Sequence, residues 1–226
     1  MSADVRATEF QMPHLPQALF VGGNCKTDLM TIKQFNIFWA SNFADTIPIQ
    51  HYFKHDYADK WFRIHSLPES KRYADNEQEL NILLNRQNKI ATDLLGDNTN
   101  LLLVTGDYNY NSPNDVHITK EESIFSSYSF TILENIDLHK LSPDEYERGQ
   151  TYRPAFSEIV WNSDRHNFLL KEIANDRVKA FFVSFDNKAI VAPYDGGIDI
   201  ILKDTATRDI YKQKYKDWLS EREDGF

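Results

Sequence analysis

Cysteine is almost absent. The one residue present among 226, Cys25, cannot close an internal disulfide, so nothing in the chain marks an oxidising compartment. Long hydrophobic runs are missing too: the longest, such as Leu101 to Val104, suit a strand and fall far short of the roughly 18 residues a membrane helix needs. The segment Met1 to Phe10, with Asp4, Arg6 and Glu9, lacks the apolar stretch of a secretory signal. No Gly/Ser linker, internal repeat or low-complexity tract breaks the chain. Positive charge is also in deficit. Twenty-five Lys and Arg against 34 Asp and Glu give a formal net charge of -9, which repels a phosphate backbone and argues against nucleic-acid binding. These absences lead to the expectation of a cytoplasmic protein with neither a membrane nor a nucleic acid as partner.

What is present suits a packed core. Hydrophobic residues make up 41% and aromatics 13%, far more than a disordered segment carries, so the chain should fold alone. Pro13, Pro16, Gly22 and Gly23 suggest an irregular arm over residues 1–30, laid down through Leu19, Phe20 and Val21. From Thr31, the spacing of Ile32, Phe35, Phe38, Trp39 and Phe43 predicts a helix with a buried stripe, ended by Pro48. A short helical piece is expected around Gln50 to Tyr57, and the alternation of Trp61 to His65 predicts a half-buried strand. The clearest helix runs from about Asn76 to Leu95, with Asp75 and Gln78 as a capping box and Gly96 as a left-handed stop.

Strand-like runs recur at Leu101–Thr105, Tyr128–Leu133, Phe156–Trp161, Val178–Phe185, Ala189–Ala192 and Ile198–Leu202, with Asp186-Asn187 as the turn of a hairpin. Ser163 or Asp164 is expected to cap a helix through Ile173, and Asp204 or Thr205 a final one. Asp107 to Glu122, polar and rich in Asn, reads as a loop or hairpin tip. Strands follow one another without regular helical alternation. The expectation is therefore a single α+β domain over residues 31–226, an antiparallel or mixed sheet packed with several helices.

Two strings stand out: Trp61-Phe62-Arg63-Ile64-His65-Ser66-Leu67-Pro68-Glu69-Ser70-Lys71-Arg72-Tyr73 and Pro193-Tyr194-Asp195-Gly196-Gly197-Ile198-Asp199-Ile200-Ile201-Leu202. With the Trp218-Leu219-Ser220 tail they resemble a family of uncharacterised bacterial domains of unknown function, over most of the chain after about residue 30. The resemblance implies a bacterial source and a small, intracellular, stand-alone protein. It brings no catalytic residues with it.

In the first string, Arg63 and His65 project to one face of a strand, and Ser70, Lys71 and Arg72 lead into the helix at Asp75. Cations and a hydroxyl near a helix N-terminus suit an anion such as a phosphate or carboxylate. Alternatively, Arg63 pairs internally with Asp195 or Asp199 and the segment is only a turn. In the second string, Asp195 and Asp199 flank Gly196-Gly197, which read as a sharp turn at positive backbone angles. The two carboxylates suit acid/base or metal chemistry, or else a cap on backbone N–H groups. No third ligand accompanies them, and no cofactor or metal is expected.

Other constellations are weaker. His51 and His55 stand four apart without the Glu of a zincin, Ser163-Asp164-Arg165-His166 holds adjacent residues that cannot form a triad, and no protease signature surrounds Cys25. Charge is uneven: between Asp107 and Gly149, nine acids, among them Asp107, Asp115, Glu121, Glu122, Asp144 and Glu145, face three bases. This is either solvated surface or a dock for a basic, toxin-like partner. The first functional expectation is a protein-interaction module, of the immunity or antitoxin type. The second is a small-anion- or phosphate-binding enzyme using Arg63, His65, Lys71 and Arg72 with Asp195 and Asp199.

Overall fold

Leu101 to Val104 are apolar at four successive positions, and all four are buried, so this strand has a core on each of its faces. The computed structural model describes residues 29–109 and 122–220, for Glu122 the backbone alone. The expected arm therefore lies almost wholly outside the described residues, as do Cys25, Asp115 and Glu121 and the side chain of Glu122.

Among the described residues the sheet has eight strands: β1 (Trp61–His65), β2 (Thr99–Asn109), β3 (Thr131–Ile132), β4 (Ile136–Asp137), β5 (Thr151–Trp161), β6 (Ala180–Ser184), β7 (Ala189–Pro193) and β8 (Gly197–Ile201). They lie in the order β1-β8-β7-β6-β2-β5-β3, with β4 also on β5, and every pairing is antiparallel. β6, β7 and β8 form a meander buried at every position, which accounts for their mostly apolar character, with Ser184 and Asp199 the buried polar exceptions. The helices are α1 (Ile32–Asn42), α2 (Phe53–Asp56), α3 (Glu77–Leu95), α4 (Glu122–Phe125), α5 (Leu138–Leu141), α6 (Asn167–Ala174) and α7 (Thr205–Lys214). The result is an α+β fold.

One face of the sheet packs Phe62, Ile64, Leu103, Phe182, Val191 and Ile200 against α3 and α6. The other carries Leu102, Val104, Phe156, Phe181 and Ile190 under the aromatics of α1 and α2. There Phe35 stacks on Phe156 at 4.9 Å and on Trp39 at 5.6 Å, and Phe53 meets Phe181 edge-on at 5.0 Å. Thr31 and Gln34 form the capping box of α1.

Several local expectations are corrected. α1 stops at Asn42, ahead of Pro48, because Phe43 leaves the helical region and the chain turns so that Thr46 bonds Asp56. Of its stripe, Ile32 is exposed, and Phe38 is half-buried against Phe185. The cap of α3 sits one residue later than read: Asn76 accepts from the Glu79 backbone, and the Glu79 carboxylate accepts from the N–H of Asp75, leaving Gln78 out. Neither Ser163 nor Asp164 caps α6; Asp164 takes φ 69 in the turn, and His166 precedes the helix. Asp204 does cap α7 through the Thr207 N–H. β2 runs on through Asn109, so Asp107 lies on a strand paired with Arg153 and not in a loop. In the run read as Tyr128–Leu133, only Thr131 and Ile132 are strand, paired to β5.

Candidate functional site

The alternation of β1 buries Phe62 and Ile64 on one face and sends Trp61, Arg63 and His65 to the other. Register then places Arg63 directly opposite Asp199 on β8. The guanidinium meets the carboxylate in fork geometry, Nε to Oδ1 at 2.7 Å and Nη2 to Oδ2 at 2.8 Å, and the Trp61 indole donates to the same Oδ1 at 2.9 Å. Tyr194 lies 4.5 Å below the guanidinium carbon. Burial opposes the charge on Arg63, but the hydrogen bonds and charge of Asp199 outweigh it and hold the group above its ordinary value. Burial also pushes the Tyr194 hydroxyl up to about 12, so it stays neutral.

Asp195 takes other partners. It accepts from Arg72 Nε at 2.7 Å and from the Tyr73 hydroxyl at 2.9 Å. Between the two aspartates, neither Gly196 nor Gly197 has positive φ, contrary to the turn read from the sequence. Their smallness is needed for close approach instead: a Cβ on Gly197 would lie 2.0 Å from the Ile64 carbonyl oxygen, which would force β1 away from β8. The positive angles fall in the first string, at Glu69 and Ser70, both φ 55. Lys71 bridges Asp75, just ahead of the Asn76 cap, and Glu79 in the first turn of α3, so these carboxylates engage this cation. Ser70 is exposed, and His65 keeps its Nε2 buried without a hydrogen-bond partner, its ring held below the ordinary 6.5 by burial. The tail joins the same end of the sheet: Leu219 bridges to Ile64, and Trp218 lies under the Arg86 guanidinium at 5.1 Å.

The two strings thus meet, but as two separate ion pairs with different surroundings. Arg63 and Asp199 form part of the wall of a cleft of about 550 Å³ at one end of the sheet. Its roof is the helical turn leading into α2, with Ile49, Gln50, His51 and Lys54; its floor is Phe181 with Thr105, Gly106 and Tyr108 at the end of β2. Asp176, Arg177, Val178 and Lys179, just ahead of β6, close one side. His65, Ser70, Lys71, Arg72 and Asp195 do not line it. Gln50 is fixed by donating from Nε2 to the carbonyls of Ala192 and Pro193 at 3.2 and 3.1 Å, which leaves its Oε1 buried and unpaired. The Tyr108 hydroxyl lies 3.0 Å from Nδ1 of His51, and burial pushes this imidazole below 6.5 against the opposing field of Glu145. Arg177 pairs with Glu172, and Lys179 with Asp176.

Sequence reading missed Lys54, Tyr108, Arg177 and Lys179. It weighed His51 as a metal ligand with His55 and favoured a surface or packing role for both. Among the described residues, no group of three or more His, Cys, Asp or Glu is placed to hold a metal ion, and no helix is long and apolar enough to cross a membrane. His166, weighed as part of an adjacent trio, is a core residue: it stacks on Trp161, meets the Tyr128 hydroxyl at 2.9 Å, and is held below 6.5 by burial. Of the acidic segment, Asp107 lines the cleft, while Asp144 and Glu145 are exposed after α5.

No curated protein and no solved structure matches the chain. A family model described as Domain of unknown function (DUF3885) matches residues 49–223, and the chain belongs to that family. The matched span takes in β1, β8, the tail strings and the whole lining of the cleft.

Proposed function

We propose that this DUF3885 protein is a binding module that holds a small organic anion in the cleft at the end of its sheet. One observation carries the reading: the lining bears four permanent cations, Lys54, Arg63, Arg177 and Lys179, against three carboxylates, a local balance of +1 in a chain whose net charge is -9, although Arg63, Arg177 and Lys179 each already meet a carboxylate. An acidic protein that gathers cations around a cavity of this size concentrates anions there, since a concave wall focuses the field. The anion-binding expectation therefore keeps Arg63, with Asp199 as its orienting partner, and passes from His65, Lys71 and Arg72 to Lys54, Arg177 and Lys179.

The reading is tested by titrating the full chain with phosphate, citrate and benzoate while following thermal unfolding. An occupant at a hundred times its Kd should add about 2.7 kcal/mol of stability, and Lys54→Met should remove most of that gain. A flat response to all three anions, or a shift that Lys54→Met leaves intact, would overturn it.

A second reading keeps the protein-interaction expectation of an immunity-type module with a basic partner. What favours it is position: Asp144, Glu145 and Glu147 are exposed together, and Glu145 is close enough for its charge to act on His51 at the cleft roof. A basic protein docked on these acids would cover the cleft, with an association rate that falls as salt rises. A pull-down from the source cell without a stoichiometric protein partner, in the presence of an occupied cleft, would discard this second reading.

A further inference from the structure

Rings and cations alternate along the cleft. Tyr108 presents a ring that is 37% exposed, at the point where β2 passes beyond its pairing with β6. Gly106 makes the place for it: a Cβ there would lie 2.6 Å from the Tyr152 ring, whose edge-to-face contact with Tyr108, at 4.8 Å, fixes the plane of the exposed ring. His51 lies nearly parallel to Tyr108, 28° between planes and 6.3 Å between centroids. The pair is thus rigid before any ligand arrives, which lowers the ordering cost of stacking on it.

The cations line the same cleft as these rings. Lys54 follows His51 by three residues along one helical turn, so about 5–6 Å separates their Cβ atoms. Lys179 stands immediately before Ala180, the residue of β6 that faces Thr105 of β2, and its ammonium contacts Asp176. A single small molecule can span this interval, with a flat apolar group on the rings and a negative group at the lysines. A simple anion would use the lysines and leave the aromatic platform uncovered.

We infer that the cleft selects an anion that carries a planar aromatic ring, of the nucleoside monophosphate type, with its ring on Tyr108 and His51 and its anionic group at Lys54 and Lys179. This deepens the anion-binding reading and rests on it. The test is calorimetric titration of the full chain, at one salt concentration, with adenosine monophosphate and with ribose 5-phosphate, which shares the phosphate and sugar and lacks the ring. Stacking on a fixed aromatic should make the nucleotide bind about tenfold tighter or better. Tyr108→Leu should remove most of the nucleotide's advantage over ribose 5-phosphate, whereas Lys54→Met should weaken both. Unfolding midpoints close to that of the parent chain establish that each variant is folded, and the comparison of the two ligands on the parent chain stands without any variant.

Equal affinity for the two ligands, or a nucleotide preference that Tyr108→Leu leaves untouched, overturns the inference while the anion-binding reading survives. If neither ligand binds, nor any of the simple anions, both fall together.

Discussion

Two aspartates four residues apart in one string form ion pairs of different kinds. Asp199 and Asp195 are both buried, with side chains 9% and 6% exposed, but the cation on Asp199 is 15% exposed and that on Asp195 is 64% exposed. Arg63 is enclosed between Trp61, Tyr194 and the cleft wall, whereas Arg72 reaches in from solvent and can return to it. The difference teaches where a charge is structural and where it is surface. A buried pair whose partner is deleted leaves a desolvated charge; a pair with a solvated cation loses little more than a hydrogen bond.

Breaking the inner pair should have the largest effect. Asp199→Ala strands the Arg63 guanidinium and should cost about 3–5 kcal/mol in urea unfolding, and a loss below about 1 kcal/mol would erase the distinction drawn above. Next comes Gly197→Ala, which drives a methyl group into the Ile64 carbonyl; about 2–4 kcal/mol is expected, with the loss of hydrogen-exchange protection confined first to β1. Asp195→Asn keeps an acceptor for Tyr73 while discharging the outer pair, and should cost about 1 kcal/mol by the same unfolding measurement. Arg72→Ala takes away a solvated cation and leaves the buried Asp195 carboxylate with the Tyr73 hydroxyl, and should cost up to about 1 kcal/mol.

Acidification sharpens the contrast from another side. His51, His65 and His166 are all held below 6.5, by burial in each case. Between that value and the lower folded values the unfolded chain binds more protons than the folded one, so stability falls as pH drops below 6.5 and is unaffected by these groups well above it. The slope should shrink when His166 is replaced by Gln; thermal midpoints that stay level down to about pH 5 would show that burial does not shift these rings.

The fold was legible where a residue pattern answers to local physics. The spacing of Phe35 and Trp39 and the mostly apolar runs of β6 to β8 dictate their burial, and Asp204 caps the helix it precedes. Ambiguity entered where two neighbours have the same chemistry: Asp75 and Asn76 are both good caps, and only the position of the Glu79 carboxylate decides between them. Glycine misled for a related reason, since it permits either an unusual angle or a close approach, and Gly197 needs the second. The internal partner of Arg63 was among the readings the sequence offered, because register between two strings settles it. The cleft was not legible. Lys54, Tyr108 and Lys179 have no common motif: the pairing of β2 with β6 brings the last two together across a long stretch of chain, and α2, packed on β6 through Phe53 and Phe181, adds Lys54.

The outer border of β1 has a consequence for how copies of the chain behave when crowded. Trp61 to His65 is a five-residue strand with β8 on one side only, and on the other side its main chain meets a single bridge, from Ile64 to Leu219. A bare strand border is a template on which a second molecule can add its own strand. With Leu219 seated at its centre and Trp218 anchored beneath Arg86, that border lacks the continuous row of donors and acceptors that intermolecular pairing needs. A chain shortened before Trp218 is therefore expected to be more prone to self-association, measured as oligomer content in sedimentation.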